Sequence, residues 1–200
     1  RDSFSASDPP ETGMKRIDGE PARERARAKV NLTLGVKGRR RDGYHELESL
    51  VAFADIGDEL AFTPAEADSL VTEGPFARAL DGENLVLKAK RVVGDWLGRD
   101  LRGTFRLTKN IPVAAGLGGG SSDAAAAIRI LLGLYGDGRV GALPARLSAS
   151  IGADVPVCLV HRAAWMRGLG ERVTPVERLV PLPALLVNPG IALSTAAVFK

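Results

Sequence analysis

The stretch Pro112-Val113-Ala114-Ala115-Gly116-Leu117-Gly118-Gly119-Gly120-Ser121-Ser122-Asp123, running on into Ala124-Ala125-Ala126-Ala127-Ile128, decides how the rest of the chain is read. Four of its glycines fall within five positions. Glycine removes the Cβ and permits positive φ, so the backbone can approach a ligand closely. Ser121, Ser122 and Asp123 are residue types that favour a helix N-terminus. The alanine run behind them has high helix propensity. Bare N–H groups opening onto a helix N-terminus make a phosphate cradle. A flexible Gly/Ser linker is the competing reading, but such linkers rarely run straight into an alanine-rich helix. The stretch is neither of the two common nucleotide fingerprints. It lacks the Gly-Lys-Ser/Thr of a Walker A loop, and Gly116, Gly118 and Gly120 do not fit G-x-G-x-x-G.

Bulk properties narrow the field. Two hundred residues allow one domain or two small ones. A hydrophobic fraction of 45% is enough for a core, and 26% charged residues is near the globular norm. The net charge of +3 is mild, with its excess early, at Arg23, Arg25, Arg27 and Arg39-Arg40-Arg41. That suits anionic small molecules. Aromatics that would stack on bases are missing beside the basic runs, which argues against nucleic acid. Cys158 is the only cysteine, so an intramolecular disulfide and a cysteine metal cluster are excluded. His45 and His161 are far apart and suggest no zinc site. No apolar run approaches the ~20 residues that span a bilayer. No secretory h-region is visible either, so the expectation is a cytoplasmic protein with no membrane partner.

Taken in order, residues 1 to 24 are polar and aperiodic and are expected to be disordered, with Met14 a candidate natural start. Ala28, Val30, Leu32, Leu34 and Val36 alternate with Lys29, Asn31, Thr33 and Gly35, which predicts a half-buried strand. Lys29 and Asn31 then share a face, about 7 Å apart. A surface strand with a solvated lysine satisfies the pattern equally well. Gly38 to Gly43 read as a polar turn, Leu47 to Phe53 as an apolar segment, and Glu59 to Thr63 as another strand. Asn84 is placed to cap a helix carrying Leu85, Ala89, Val92, Val93 and Trp96 at helical spacing. Thr104 to Thr108 predict a strand feeding the glycine loop, and a helix follows from about Ser122 to Leu134. Leu143, Leu147 and Ile151 suggest a further helix, and Asp154 stands just ahead of an apolar run. Ala163 to Val176 read as a hairpin around Gly168-Leu169-Gly170-Glu171, and Pro183 to Val187 as an apolar strand.

The glycine loop resembles Pro-x-x-x-Gly-Leu-Gly-Ser-Ser-Ala, the ATP-phosphate loop of the GHMP kinases, with Gly119-Gly120 and Asp123 as variations. Five further segments extend the resemblance over nearly everything after residue 26. They are Ala28-Lys29-Val30-Asn31-Leu32, Gly38-Arg39-Arg40-Arg41-Asp42-Gly43-Tyr44-His45-Glu46-Leu47, Gly152-Ala153-Asp154-Val155-Pro156-Val157, Gly168-Leu169-Gly170-Glu171 and Asn188-Pro189-Gly190. Together they look like the branch of that family acting on 4-diphosphocytidyl-2-C-methyl-D-erythritol in the non-mevalonate isoprenoid pathway. The branch usually has Pro-Ala-Lys where this chain has Arg27-Ala28-Lys29, but the lysine is kept.

The resemblance implies an α+β fold: the GHMP kinase / ribosomal protein S5 domain 2-like N-terminal lobe, a mixed sheet with helices packed on one side. Residues 25–183 are expected to form that lobe and 184–200 to open a truncated C-terminal lobe, whose own glycine-rich motif has no copy here. It implies ATP and Mg²⁺ as cofactors, a cytidine diphosphate substrate, and a monomer or weak homodimer. Lys29 and Asp154 are implied as catalytic, brought together by the resemblance and not by spacing. Asp154, as an ionised carboxylate, would accept the hydroxyl proton, and Lys29 would stand beside it. ATP binding falls to Pro112, Val113, Ala114, Ala115, Gly116, Leu117, Gly118, Gly119, Gly120, Ser121 and Ser122, with either serine offering a hydroxyl to phosphate or Mg²⁺. Asn31, Tyr44, His45, Thr195 and Phe199 are the candidate substrate contacts, the aromatic faces stacking on cytosine. No residue is assigned as a metal ligand. Two other readings stay open: a GHMP kinase for homoserine or a mevalonate derivative, and a non-catalytic nucleotide- or RNA-binding module on the same fold.

Overall fold

One strand of 20 residues, His45–Pro64, organises the sheet. The computed structural model describes residues 20–39, 45–80, 82–136 and 143–188. Its strands are β1 (Ala22–Asn31), β2 (Gly35–Arg39), β3 (His45–Pro64), β4 (Ser69–Glu73), β5 (Gly103–Thr108), β6 (Ala164–Gly168) and β7 (Arg172–Pro175). Its helices are α1 (Leu85–Leu97), α2 (Gly119–Tyr135), α3 (Ala145–Ile151) and α4 (Val155–Val160). β1 and β2 pair along one edge of β3, while β5 and β6 take separate stretches of the other, residues 59–64 and 47–51. Only β4 against β5 is parallel, so the sheet is mixed, and the fold class is α+β as expected.

The expected break between residues 53 and 59 is not a break. Pairing with β1 runs on from Arg27 opposite Gly57 to Lys29 opposite Phe53, so β3 carries extra residues there and bulges. Asp55 and Ile56 are pushed outward, and the strand stays continuous because β1 spans both halves. A bulge of this kind bends a strand without ending it.

α2 explains where the core sits. From Ser122 to Leu132 every residue is buried, so the helix is the centre of the packing and not a surface element. It lies against β1 and β3 on one side and against α1 and α4 on others. Its small alanines let neighbours close in, while Leu60, Phe62, Phe105 and Leu107 supply bulk from the sheet. Phe62 and Phe105 stack with ring centres 4.6 Å apart. α1 begins as expected, with Asn84 Oδ1 accepting from the Val86 amide at 2.9 Å, and it buries Val86, Ala89 and Val93.

Several expectations need correction. β1 starts at Ala22, so residues 22–24 belong to the sheet and not to a disordered extension. Its apolar alternation does not continue: the strand ends at Asn31, and Leu32, Leu34 and Val36 are exposed. The Leu32 amide turns to the Leu50 carbonyl at 2.8 Å, and β2 follows as a separate edge strand. Of the two readings open for Lys29, the solvated surface lysine fails: the side chain is buried because the glycine loop covers it. Residues 183–187 form no strand. Among the described residues none pairs with them, and without a ladder an apolar run does not become a strand; Leu185 and Val187 are over 80% exposed (87% and 81%).

Candidate active site

β5 delivers the chain to the glycine loop, and α2 receives it. The helix begins at Gly119, earlier than the expected Ser122, because Gly119, Gly120 and Ser121 already adopt its turn. Gly118 occupies the N-cap position at φ +62, a left-handed conformation costly for any residue with a Cβ. No side chain caps this end, so its leading N–H groups keep their hydrogen-bonding capacity. Ala114, Gly116 and Gly118 alternate at positive φ (56, 73 and 62). Alternation of this kind turns successive N–H groups into one concavity suited to an anion. The positive end of the α2 dipole adds to it.

Lys29 underlies the loop. Its amide donates to the Leu117 carbonyl at 2.8 Å, and a Cβ on Gly118 would lie 3.0 Å from its Cε. The loop therefore rests on the lysine stem. The Lys29 ammonium, only 5% exposed, reaches Asp154 Oδ2 at 3.2 Å and donates to Asn31 Oδ1 at 2.9 Å. The Asn31 amide nitrogen in turn donates to Ser49 Oγ at 2.6 Å, and Ser49 donates to the Thr33 carbonyl at 2.5 Å. Lys29 is thus oriented from β1 and β3 before any ligand arrives.

Asp154 stands at the N-cap of α4 without capping it, so its carboxylate is not spent on the helix end. Its side chain is 32% exposed. The chain reaches it from α3 through Gly152, where a Cβ would meet Ser121 Oγ at 3.4 Å. The β6–β7 turn closes behind: a Cβ on Gly170 would fall 2.4 Å from the Ala153 carbonyl oxygen, and Gly170 sits at φ +120. One end of the glycine loop, a buried ammonium and a half-exposed carboxylate are thereby gathered from three distant parts of the sequence.

A second charged cluster, which the sequence reading did not single out, lies beneath the same loop. Lys109 Nζ bonds Asp58 Oδ2 and also Asp123 Oδ2, the latter at 2.8 Å, with all three side chains at most 4% exposed. Asp58 Oδ1 accepts the amides of Asn110 and Ile111 at 2.6 and 2.8 Å. Burial, with Asp58 adding to it, pushes the Asp123 carboxyl up to about 7 despite Lys109. Burial works against the charge on Lys109, but Asp123 and Asp58 outweigh it and hold its pKa above the ordinary lysine value. The available signal was Lys109 and Asp123 flanking the loop, with Asp58 far upstream, and no periodicity joins them.

The two serines part ways. Ser122 is buried and its hydroxyl donates to the Arg27 carbonyl at 2.8 Å, which turns it from the loop's open side. Ser121 is half-buried, with its hydroxyl beside Gly152, two residues ahead of Asp154. Tyr44, Thr195 and Phe199 lie outside the described residues, as does the side chain of His45. Burial pushes the Cys158 thiol up to about 12, so it is no thiolate nucleophile at neutral pH. Among the described residues no helix is long and apolar enough to cross a membrane.

Comparison with known proteins bears on the fold that carries this geometry. The GHMP kinases N terminal domain matches residues 84–162, from the cap of α1 to just past α4. The chain is 52% identical over 176 residues to a 4-diphosphocytidyl-2-C-methyl-D-erythritol kinase of Paramagnetospirillum magneticum, covering 88% of this chain and 62% of that protein. The crystal structure of a 4-(cytidine 5'-diphospho)-2C-methyl-D-erythritol kinase superposes with a TM-score of 0.63 at 41% identity, over 78% of this chain and 55% of that one. A homoserine kinase from Cytophaga hutchinsonii shares the fold alone, at 14% identity and a TM-score of 0.54, covering 85% and 55%. The chain therefore spans less than two thirds of the length of these relatives. What it spans includes the glycine loop, Lys29 and Asp154, and residues 84–162 carry the GHMP kinases N terminal domain.

Proposed function

We propose that the protein of which this chain is the N-terminal lobe transfers the γ-phosphoryl group of ATP to the 2-hydroxyl of 4-diphosphocytidyl-2-C-methyl-D-erythritol, in isoprenoid biosynthesis. The observation that carries this is the seat of Lys29: its ammonium is 3.2 Å from Asp154 while its own amide holds the glycine loop at Leu117. One residue thus couples the phosphate cradle to the candidate base. The relatives that are 41% and 52% identical bear this substrate's name, while the homoserine kinase reaches only 14%, which favours this acceptor over the homoserine type.

In this reading the loop amides and the α2 dipole hold the phosphates. The Lys29 ammonium offsets charge building on the transferring group and fixes the Asp154 carboxylate. Asp154 takes the proton from the substrate hydroxyl, whose oxygen bonds the γ-phosphorus as the bond to the β-phosphate oxygen breaks and ADP leaves. Among the described residues no group of three or more His, Cys, Asp or Glu is arranged to hold a metal. A Mg²⁺ ion that takes most of its ligands from phosphates and water fits such a site, with Ser121 as the side-chain hydroxyl beside it. When bound it neutralises phosphate charge. Asn31, already tied to Lys29, is the described candidate for a polar contact to the acceptor, joined by Tyr44, His45, Thr195 and Phe199. The lobe runs from about residue 22 to 183, and 184–200 open the second lobe. Cytoplasmic location and a monomer or weak homodimer go with this reading.

The test measures ADP release with 4-diphosphocytidyl-2-C-methyl-D-erythritol, homoserine or mevalonate as acceptor, on this chain and on one extended to its relatives' length. Release dependent on the cytidine acceptor alone in the extended chain is expected. Equal release with homoserine or mevalonate, or none with the cytidine acceptor, contradicts the proposal.

A further inference from the structure

The buried cluster of Asp58, Lys109 and Asp123 does more than fill the space under α2. The glycine loop runs from Pro112 to Gly118, and both of its ends rest on this cluster. At the entering end, Asp58 Oδ1 accepts the amides of Asn110 and Ile111, at 2.6 and 2.8 Å. The Asn110 side chain adds a bond to the Gly57 carbonyl at 3.2 Å. At the leaving end, Asp123 in the second turn of α2 accepts from Lys109 Nζ at 2.8 Å, and the same ammonium bonds Asp58. Gly119, the first residue of the helix, lies directly over the ions: a Cβ there would be 3.4 Å from Lys109 Nζ and 3.6 Å from Asp58 Oδ2.

Stability alone is a poor reason for such a cluster. Charges taken out of water lose much of what their attraction returns, and apolar side chains of similar volume are often as stable. The cluster is not even complete as a core, since Asp123 Oδ1 is buried with no hydrogen-bond partner among the described residues. What ions provide and apolar contacts do not is direction. The ammonium of Lys109 fixes the distance between the end of β5 and the start of α2, and that distance sets how tightly the intervening loop must curl.

We propose that Asp58, Lys109 and Asp123 are positioning residues: they clamp the two ends of the glycine loop together, and so fix the spacing of its amides for the β and γ phosphates. The inference rests on the reading of that loop as the phosphate site. It adds three residues, none of which needs to touch the nucleotide.

The test titrates the wild-type chain and the Lys109→Met and Asp58→Asn variants with a non-hydrolysable ATP analogue and with AMP by calorimetry, alongside thermal melting. Lys109→Met is expected to weaken the ATP analogue about tenfold or more, while AMP, lacking the β and γ phosphates, changes by less than about twofold. Asp58→Asn keeps an oxygen for the Asn110 and Ile111 amides but turns its NH2 donor on Lys109 Nζ, so it too is expected to weaken the ATP analogue relative to AMP, by about threefold or more. An unchanged ratio in Lys109→Met, or equal loss of both ligands, overturns the proposal and leaves the cluster a packing feature. If Lys109→Met does not fold, Asp123→Ala, which cuts only the helix end from the ammonium, is judged on the same ratio. A wild-type chain that binds neither ligand contradicts the phosphate-loop reading itself and takes this inference down with it.

Discussion

Lys29 Nζ lies 3.2 Å from Asp154 Oδ2, although one residue is near the end of the first strand and the other stands at the start of the fourth helix. The two differ sharply in exposure, 5% against 32% for the side chains. A buried ammonium beside a carboxylate that still reaches solvent is a one-sided pair. The lysine is fixed by Asn31 and the loop, and the aspartate keeps an open side for a hydroxyl.

Replacing that aspartate separates chemistry from binding. In a chain extended to its relatives' length, Asp154→Asn is expected to lower kcat by about a hundredfold or more, the usual share of a general base. The Kd for ATP should stay within about twofold, because the loop amides do not depend on this side chain. Steady-state kinetics paired with ATP titration decides it, and near-normal turnover would remove Asp154 from the mechanism.

Gly170 provides a test at one remove. A methyl group there meets the Ala153 carbonyl at 2.4 Å, and φ of +120 is a conformation that residues with a Cβ rarely hold. Gly170→Ala must therefore shift either the β6–β7 turn or the Ala153-Asp154 peptide. We expect a loss of about 1–3 kcal/mol in stability and a lower kcat with little change in ATP affinity. Thermal melting and the same kinetic assay check both parts. An unaltered kcat would mean that the turn yields and Asp154 does not.

His161 gives the fold a measurable acid limit. It follows α4 at φ +54, its Nε2 is buried with no partner among the described residues, and it packs edge-on against Phe53 with ring centres 5.6 Å apart. Burial, then the charges of Arg129 and Arg27, hold its pKa down to about 4 from an ordinary 6.5. Between these values the unfolded chain takes up a proton that the folded one refuses. Stability from this group is therefore complete above about pH 6.5 and is lost as pH falls towards about 4. His161→Asn, whose side chain tolerates the left-handed backbone, should show a smaller fall in melting temperature over that range than the wild type. Equal falls in the two chains would contradict the assignment.

Much of this was legible in the sequence, and the reasons differ by element. The glycine loop declared itself because its chemistry is backbone chemistry, and glycine is the residue that backbone chemistry selects. α1 was readable from Asn84 and the spacing of Ala89 and Val93, since cap and periodicity are both local. The Lys29–Asp154 pair was not local at all; only the resemblance joined them. β3 reads as two segments because Asp55-Ile56-Gly57-Asp58 interrupts the apolar pattern, and the pairing with β1 keeps it extended. Asp58, Lys109 and Asp123 escaped notice for the same reason. Lys109 and Asp123 are ordinary polar residues beside the loop, and Asp58 is far from it in sequence until the sheet brings all three together. Ser122 illustrates the remaining gap: its type suited a ligand, but its place in the helix turned the hydroxyl to the Arg27 carbonyl.

The central claim is that amides between Gly116 and Ser121 hold the phosphates of ATP within reach of Lys29. A crystal structure of this chain with a non-hydrolysable ATP analogue tests it directly. The account requires the phosphates in the concavity of that loop, hydrogen-bonded to its amides, with the terminal phosphate on the Lys29 side. An analogue bound elsewhere, with the loop amides paired to protein instead, would contradict it.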